Sequence, residues 1–229
     1  MKALVIEHDP LSRPERVGAH LERRGVSLDH FVVVDDIDDP EVFAEFPRAP
    51  YDILVVMGAP WSIYEPRVQG WVLPELDLIQ GHVSRGAPVL GICFGAQAVS
   101  QAMGGVVRRS STPEYGWGKI ASTTDSISDG PWFQFHHDDF TLPPGARALA
   151  DNGAGLQAFQ LGPSLCVQFH PEVTTELISS WCGAGGDQEL LANGIDPAQV
   201  IEETRLIAPQ TQDDLETMLD VWLERMGSD

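Results

Sequence analysis

The segment 91–95, Gly-Ile-Cys-Phe-Gly, constrains the fold more than any other part of this sequence. It follows the apolar run 88–90 and precedes the helix-forming run 96–99. A buried strand that turns at once into a helix holds the corner residue in a strained conformation, with its side chain projecting from the sheet. Flanking glycines remove the Cβ atoms that would clash there. Because the start of a helix favours a thiolate, the pattern predicts that Cys93 is a nucleophile.

On these five residues alone, a small apolar core cysteine is an equal alternative. A thiolate nucleophile needs a base, and the base needs a group that fixes its tautomer. Pro171 keeps His170 extended, so the side chains of His170 and Glu172 leave the backbone on the same side. An isolated His-x-Glu is more often a strand-end histidine beside an exposed acid. Together with the turn at Cys93, it favours a base and its orienting carboxylate.

Acyl transfer also needs two donors for the oxyanion of a tetrahedral intermediate. The backbone N–H of Phe94, directly after the proposed nucleophile, is one candidate. The other is expected in the turn after a neighbouring strand, where Gly58 and Ala59 are small enough for close backbone approach. Taken alone, this second segment is only a turn.

The overall composition narrows the class of protein. A chain of 229 residues is long enough for one large α/β domain. Its net charge of −20 repels phosphate backbones and anionic lipid, so we expect neither nucleic acid nor membrane as a partner. No apolar run suits a signal sequence or a membrane span. The three cysteines lack paired spacing, which argues against disulfides and structural zinc and favours a cytoplasmic protein.

Short apolar runs alternate with helical patterns in the first half of the chain. The runs cover 3–6, 31–34, 53–57 and 89–93. Such runs are typical of parallel strands covered by helices on both faces. Helices are predicted over 13–24 and 71–85, the second ending at Gly86 with one apolar stripe. The residues of that stripe are Leu73, Leu76, Ile79 and Val83. The pattern predicts a doubly wound, mostly parallel sheet.

The second half of the chain has a different pattern. Strand-like pieces cover 106–109, 117–122, 156–160 and 165–169. They predict a short antiparallel extension of the same sheet. A Gly-rich break at 183–186 precedes helical patterns over 188–191, 197–206 and 213–226. We expect residues 1–182 to form the catalytic domain and residues 183–229 a helical C-terminal extension packed on the same domain.

The acid- and histidine-rich run 136–139 raises the question of a metal site. Adjacent side chains on extended backbone point to opposite faces, so at most two of these residues could share one ion. A metal site needs three or four convergent ligands. We therefore expect no metal or other cofactor, and a polar loop at the rim of a pocket.

Three segments together resemble a known family. Residues 91–97, 168–172 and 58–62 are similar to the signature blocks of class I glutamine amidotransferase domains of the triad type, over roughly residues 1–175. The resemblance implies a flavodoxin-like fold and hydrolysis of the glutamine γ-amide through a γ-glutamyl thioester on Cys93. It implies that His170 is the base and Glu172 its partner. Phe94 and Ala59 would give the oxyanion N–H groups, and Gln97 would help to hold the substrate.

Two further segments resemble the stand-alone branch that is similar to the GMP synthase glutaminase and includes γ-glutamyl peptidases. Residues 114–117 match its Glu-x-Gly-Trp segment, and residues 135–138 match its Trp-His-Gly-Asp loop. The second match implies that His136 and Asp138 border the substrate. The sequence departs from the branch pattern at Ala59, Phe135 and His137, which replace glycine, tryptophan and glycine.

We therefore expect a hydrolase that cleaves glutamine or another γ-glutamyl amide or peptide. The sequence has no Gly-rich phosphate loop, so ammonia would pass to a separate synthetase subunit, unless a γ-glutamyl compound is the true substrate. A binding or regulatory protein without turnover is the alternative that the three departures favour. Other folds with a nucleophile turn fit less well, because α/β-hydrolases place the acid well before the histidine. Chaperone-like relatives lack the His-Pro-Glu unit.

Overall fold

The computed structural model describes residues 1–226. The strands within this range are β1 (Lys2–Glu7), β2 (Ser27–Val32), β3 (Ile53–Val56), β4 (Val89–Ile92), β5 (Val107–Gly118), β6 (Ala121–Ser122), β7 (Trp132–Phe140), β8 (Arg147–Asp151), β9 (Leu156–Leu161) and β10 (Ser164–Val167). The helices are α1 (Glu15–Arg23), α2 (Gln69–Ser84), α3 (Phe94–Ala102), α4 (Thr175–Trp181), α5 (Asp187–Ala192), α6 (Pro197–Ile207) and α7 (Gln212–Met226). No helix in the described range is long and apolar enough to cross a membrane.

Eight strands form one sheet in the order β2-β1-β3-β4-β10-β9-β8-β6. The pairs from β2 to β10 are parallel, and the pairs from β10 to β6 are antiparallel. The predicted fold class, a mostly parallel sheet with a short antiparallel extension and C-terminal helices, is confirmed. Since β3, β4 and β10 lie side by side, the loops after them meet at one edge of the sheet.

Each face of the sheet carries its own apolar core. Val5 of β1 packs with Val17 of α1 and Leu219 of α7 on one face. Leu4, its neighbour in the strand, packs with Trp71 of α2 on the other face. Consecutive strand residues point to opposite faces, so a strand covered by helices on both sides must be apolar at every position.

The last helix is tied to the first one. The Nε2 of His20 in α1 donates to the Asp220 carboxylate in α7 at 2.7 Å, and Trp222 donates to the Pro163 carbonyl at 2.8 Å. The predicted boundary at 182/183 falls at the start of the π-helical turn Cys182–Gly186. That division stays a prediction, and residues 227–229 of the predicted extension lie outside the described residues.

The second strand does not lie where the apolar run predicted it. The expectation was 31–34, whereas β2 covers Ser27–Val32 and is exposed or half-buried along its length. It is an edge strand that pairs only with β1, so it needs no continuous apolar run. Val34, completely buried, lies beyond the strand in the core. The apolar run 31–34 therefore reflects the residues that enter the core after β2, and not the position of the strand itself.

The predicted stripe of α2 is also wrong in part. Leu73 is 56% exposed, whereas Glu75 and His82 are buried on the inner face of the helix. Glu75 accepts from His8, and His82 hydrogen-bonds the Pro88 carbonyl at 3.1 Å. Buried polar groups need such partners. Because the partner of Glu75 lies 67 residues away in the sequence, the local pattern did not reveal this buried polar position.

Residues after 105 were expected to extend the main sheet, as β6, β9 and β10 do, but the piece 106–109 and the first two residues of the piece 117–122 belong to β5. This strand pairs with β7 in a separate two-stranded antiparallel sheet. The segment 135–138, expected to be a loop, lies inside β7. The buried positions of β7 include the polar residues Gln134, His136 and Asp138. A strand whose buried face is polar lacks the alternation that identifies strands in a sequence.

The close approach of α3 to β3 can be tested by stability. An alanine Cβ at Gly95 would lie 2.0 Å from the Val56 carbonyl oxygen, so we expect Gly95→Ala to lower the free energy of unfolding by about 3 kcal/mol or more. Gly81→Ala is the matched control, because nothing lies within 4 Å of a Cβ at this position of α2. It should raise stability by roughly 0.5–1 kcal/mol. Urea denaturation measures both, and an unchanged Gly95→Ala protein would contradict the packing.

Candidate active site

Cys93 lies at the corner between β4 and α3. Its backbone has φ 51° and ψ −108°, and residues other than glycine rarely adopt such a positive φ. The corner is tight, since a Cβ at Gly91 would lie 2.8 Å from the backbone of Gly95. The N–H of Cys93 donates to the Val167 carbonyl at 2.8 Å, which anchors the corner to β10. The strain is thus held by the surrounding backbone, as is common at functional sites.

His170 and Glu172 follow β10. The Nδ1 of His170 donates to Oε1 of Glu172 at 2.7 Å, and both side chains are almost completely buried. The N–H of His170 donates to the Phe133 carbonyl at 2.8 Å. Trp181 of α4 packs edge-on against the imidazole at a centroid distance of 5.0 Å. The ring is therefore fixed by a carboxylate, by its own backbone and by an aromatic neighbour.

The thiol and the imidazole converge beside Gly58. A Cβ at Gly58 would lie 3.1 Å from Cε1 of His170 and 3.8 Å from Cβ of Cys93. The Nε2 of His170 is buried and has no hydrogen-bond partner. Burial disfavours charge on this ring, but attraction by the Glu172 carboxylate and the Cys93 sulfur outweighs it and raises the pKa of His170 to about 10. The site thus favours the imidazolium form of His170.

A glutamine pair lies on another side of the sulfur. Gln168 donates its Nε2 to Sγ of Cys93 at 3.4 Å, and its Oε1 accepts from Gln97 at 3.2 Å. Gln97 lines the cavity, and one N–H of its side-chain amide is donated to Gln168. The pair holds the sulfur from the strand side through a chain of two amides.

The candidate oxyanion donors lie on two neighbouring turns. Phe94 is the first residue of α3, so its N–H has no partner within the helix. Gly58 and Ala59 follow β3 and line the same cavity as Cys93. The carbonyl oxygen of Gly58 is occupied by another residue, because it accepts a hydrogen bond from Nδ1 of His8 at 2.8 Å.

His136 and Asp138 lie on the buried face of β7 and line the cavity. The ring of His136 is held by the Asp138 carbonyl at 3.0 Å and lies 3.3 Å from Glu114. Burial opposes ionisation of Glu114, but hydrogen bonds, first of all from His136, lower its pKa. Oδ1 of Asp138 accepts from the Tyr64 hydroxyl at 2.8 Å. Both predicted residues therefore have protein partners that fix them at the cavity wall.

His137 closes the rim of the cavity. Its Nε2 lies 3.1 Å from the Ser62 hydroxyl, and its Nδ1 donates to Glu189 of α5 at 3.1 Å. Glu189 also accepts from the Tyr115 hydroxyl at 2.7 Å. The hydrogen bond from His137 lowers the pKa of Glu189. The histidine that departs from the branch pattern thus connects the loop after β3 to the C-terminal helices.

The cavity enclosed by these residues has a volume of about 280 Å³. Its lining contains the carboxylates of Asp9, Asp138, Glu172 and Glu189, whereas no Lys or Arg from residues 1–226 contributes to it. In the same range, no three His, Cys, Asp or Glu side chains are grouped as metal ligands. The site is a small acidic pocket around a thiol.

Three residues of this site were not predicted from the sequence. Gln168 lay within a recognised segment, but its contact with the sulfur depends on how β10 lies beside β4. Glu189 belongs to α5, for which only a helical pattern was predicted, and Trp181 belongs to α4, a helix that was not predicted. Because their contacts join distant parts of the chain, no local signal could have identified them.

Comparison with known proteins gives the same family for the sequence and the fold. Residues 16–179 match the model of the family described as glutamine amidotransferase class-I. The glutamine-hydrolyzing GMP synthase of Mycolicibacterium paratuberculosis is 37% identical over 142 residues, with 58% of this chain and 25% of that protein covered. Its counterpart in Aromatoleum aromaticum is 33% identical over 163 residues, with 58% and 30% covered. The chain therefore spans less than a third of the length of these relatives.

A solved structure extends the likeness to the whole chain. The crystal structure of a glutamine amidotransferase from Thermotoga maritima has a TM-score of 0.82 and 26% identity, covering 100% of this chain and 99% of that one. The flavodoxin-like fold that the sequence motifs implied is confirmed by this match. With the family model covering well over half of its residues, the chain belongs to the class I glutamine amidotransferase family.

Proposed function

We propose that this protein hydrolyses the γ-amide of glutamine or of a related γ-glutamyl compound, with Cys93 as the nucleophile. The observation that carries the proposal is the buried His170 and Glu172 pair beside a strained cysteine at the adjacent ends of β4 and β10. The buried Nε2 of His170 has no hydrogen-bond partner in the described protein, so it is available to a reacting group. This favours turnover over a binding protein that keeps only the fold.

The reaction proceeds through an acyl-enzyme in two steps. The Cys93 thiolate attacks the γ-carbonyl, and the N–H groups of Phe94 and Ala59 stabilise the oxyanion. The His170 imidazolium gives its proton to the departing nitrogen, so the C–N bond breaks and the thioester remains. Neutral His170 then takes a proton from water, which attacks the thioester. Glutamate leaves, and the sulfur is released as the thiolate beside the imidazolium.

Substrate recognition follows from the size and charge of the cavity. A volume of about 280 Å³ suits a γ-glutamyl group and little more. The side chains of Glu189 and Asp138 at the wall are suited to attract the α-ammonium group of such a substrate. Gln97 and His136 complete the wall near the thiol. A neutral or cationic leaving group suits this acidic pocket better than an anionic one.

The fate of the nitrogen is the second part of the proposal. If glutamine is the substrate, the ammonia passes to a separate synthetase subunit. The relatives named glutamine-hydrolyzing GMP synthase support a link between glutamine hydrolysis and a synthetic reaction. If a γ-glutamyl amine or peptide is preferred, the leaving amine is itself the product and needs no acceptor protein. A panel of substrates separates these two forms of the same chemistry.

The nucleophile is tested by glutamate release from glutamine and from γ-glutamyl dipeptides. We expect Cys93→Ala to lower release by at least about a thousandfold, because the acyl-enzyme cannot form. An electrophilic glutamine analogue should add one label to Cys93, seen by mass spectrometry. Cys182→Ala is the control, since that thiol is buried outside the cavity. Equal release by wild type and Cys93→Ala, or ligand binding without labelling, would favour the non-turnover alternative.

The Glu172 carboxylate is tested by the pH dependence of kcat/KM. His170 must be protonated to release the nitrogen, and its raised pKa of about 10 keeps it so across neutral pH. Activity is therefore lost as pH rises through that value. Glu172→Gln removes a charge that raises this pKa, so the alkaline limb should move to lower pH and kcat should fall by roughly tenfold to a hundredfold.

Glu176→Gln is the matched control for this experiment. It makes the same change four residues further along, at an exposed position of α4. Its pH profile should match that of the wild type. An alkaline limb that stays in place in Glu172→Gln would show that the carboxylate does not hold the proton on His170.

A further inference from the structure

A buried ion pair that the proposed mechanism does not use lies behind the oxyanion turn. His8 follows β1 and is 0% exposed, and Glu75 of α2 is 1% exposed. The Nε2 of His8 lies 3.1 Å from each carboxylate oxygen of Glu75. Its Nδ1 lies 2.8 Å from the Gly58 carbonyl oxygen. A buried carboxylate on an inward helix face requires a compensating partner, and His8 is that partner.

Two hydrogen-bond acceptors flank this ring. The Gly58 carbonyl can only accept a hydrogen bond, so Nδ1 carries a proton. The Glu75 side chain faces Nε2 and favours a second proton there, which makes His8 an imidazolium. Burial disfavours this charge, but Glu75 and the Gly58 carbonyl outweigh it and raise the pKa of His8.

The same ring contacts both turns that bear the candidate oxyanion donors. It hydrogen-bonds the carbonyl of Gly58 and packs edge-on against Phe94, with a centroid distance of 4.5 Å. His8 itself does not line the cavity, whereas Gly58, Ala59 and Phe94 do. In a trans peptide the C=O and the N–H point in opposite directions. With its carbonyl turned to His8, the 58–59 peptide therefore points the N–H of Ala59 away from His8.

We propose that His8 and Glu75 are positioning residues of the oxyanion hole, in which the imidazolium fixes the 58–59 peptide and strengthens the Ala59 N–H as a donor. The inference rests on the proposed hydrolysis. A hydrogen bond to the carbonyl of a peptide polarises its N–H, because the two groups share one conjugated unit. Glu75 holds the ring and keeps both nitrogens protonated. The pair acts only through backbone and touches no substrate.

The test compares two double variants. His8→Leu/Glu75→Met replaces the ion pair by apolar side chains of similar size, a change that buried pairs often tolerate in stability. His8→Asn/Glu75→Met keeps a side-chain N–H at the place of Nδ1. We expect the first variant to lose roughly tenfold to a hundredfold in kcat, with KM nearly unchanged. This loss should not exceed the loss that follows removal of a whole oxyanion donor. The second should recover most of the loss.

Two further measurements distinguish a general loss of stability from a specific effect on the 58–59 peptide. His82→Gln alters another buried histidine of α2, whose ring lies at the Pro88 carbonyl and outside the cavity. It should lower the thermal midpoint without lowering kcat. The amide nitrogen of Ala59, observed by NMR, should shift upfield in His8→Leu/Glu75→Met and return toward the wild-type position in His8→Asn/Glu75→Met.

The outcomes separate this inference from the proposed function. A double variant with wild-type kcat and an unchanged Ala59 amide signal overturns the positioning role and leaves hydrolysis standing. Loss of kcat without recovery by His8→Asn/Glu75→Met also overturns it. A wild-type protein that neither releases glutamate nor is labelled at Cys93 overturns the proposed function and the catalytic meaning of the pair together.

Discussion

The hydrogen bond from the Cys93 N–H to the Val167 carbonyl joins the corner after β4 to the end of β10. It continues the parallel pairing of these strands by one residue beyond β4. Because of it, the left-handed backbone of Cys93 is held in place, and the segment that carries His170 and Glu172 leaves the sheet beside the sulfur. The small cavity and the raised pKa of His170 both depend on this one register.

The parts of the fold that could be predicted have local signals. The glycines around Cys93 and the His-x-Glu spacing act on residues that are close in the sequence. A short segment is therefore enough to predict the sharp turn and the histidine–carboxylate pair. The central strands β3 and β4 are buried on both faces, and this alone makes their sequences apolar. Family likeness added the order of the blocks, which local chemistry does not fix.

The parts that could not be predicted depend on distant partners. Glu75 is buried because His8 lies opposite. The inner face of β7 is polar because Glu114 meets it from β5 and Gln157 meets it from β9 of the main sheet. The edge strand β2 is polar for the opposite reason, since solvent covers it. In the first two cases a contact over a long sequence distance buries polar residues, whereas a periodicity argument assumes that buried residues are apolar.

The cavity wall is assembled from segments spread over most of the chain, from Asp9 to Glu189. Trp181 and Glu189 close it last in chain order, and they belong to the helices that follow the sheet. During synthesis the N-terminal part emerges first and begins to fold before these helices exist. The thiol is consequently open to solvent and oxidants in an incomplete chain, and it acquires a shielded environment only when the chain has been made as far as Glu189.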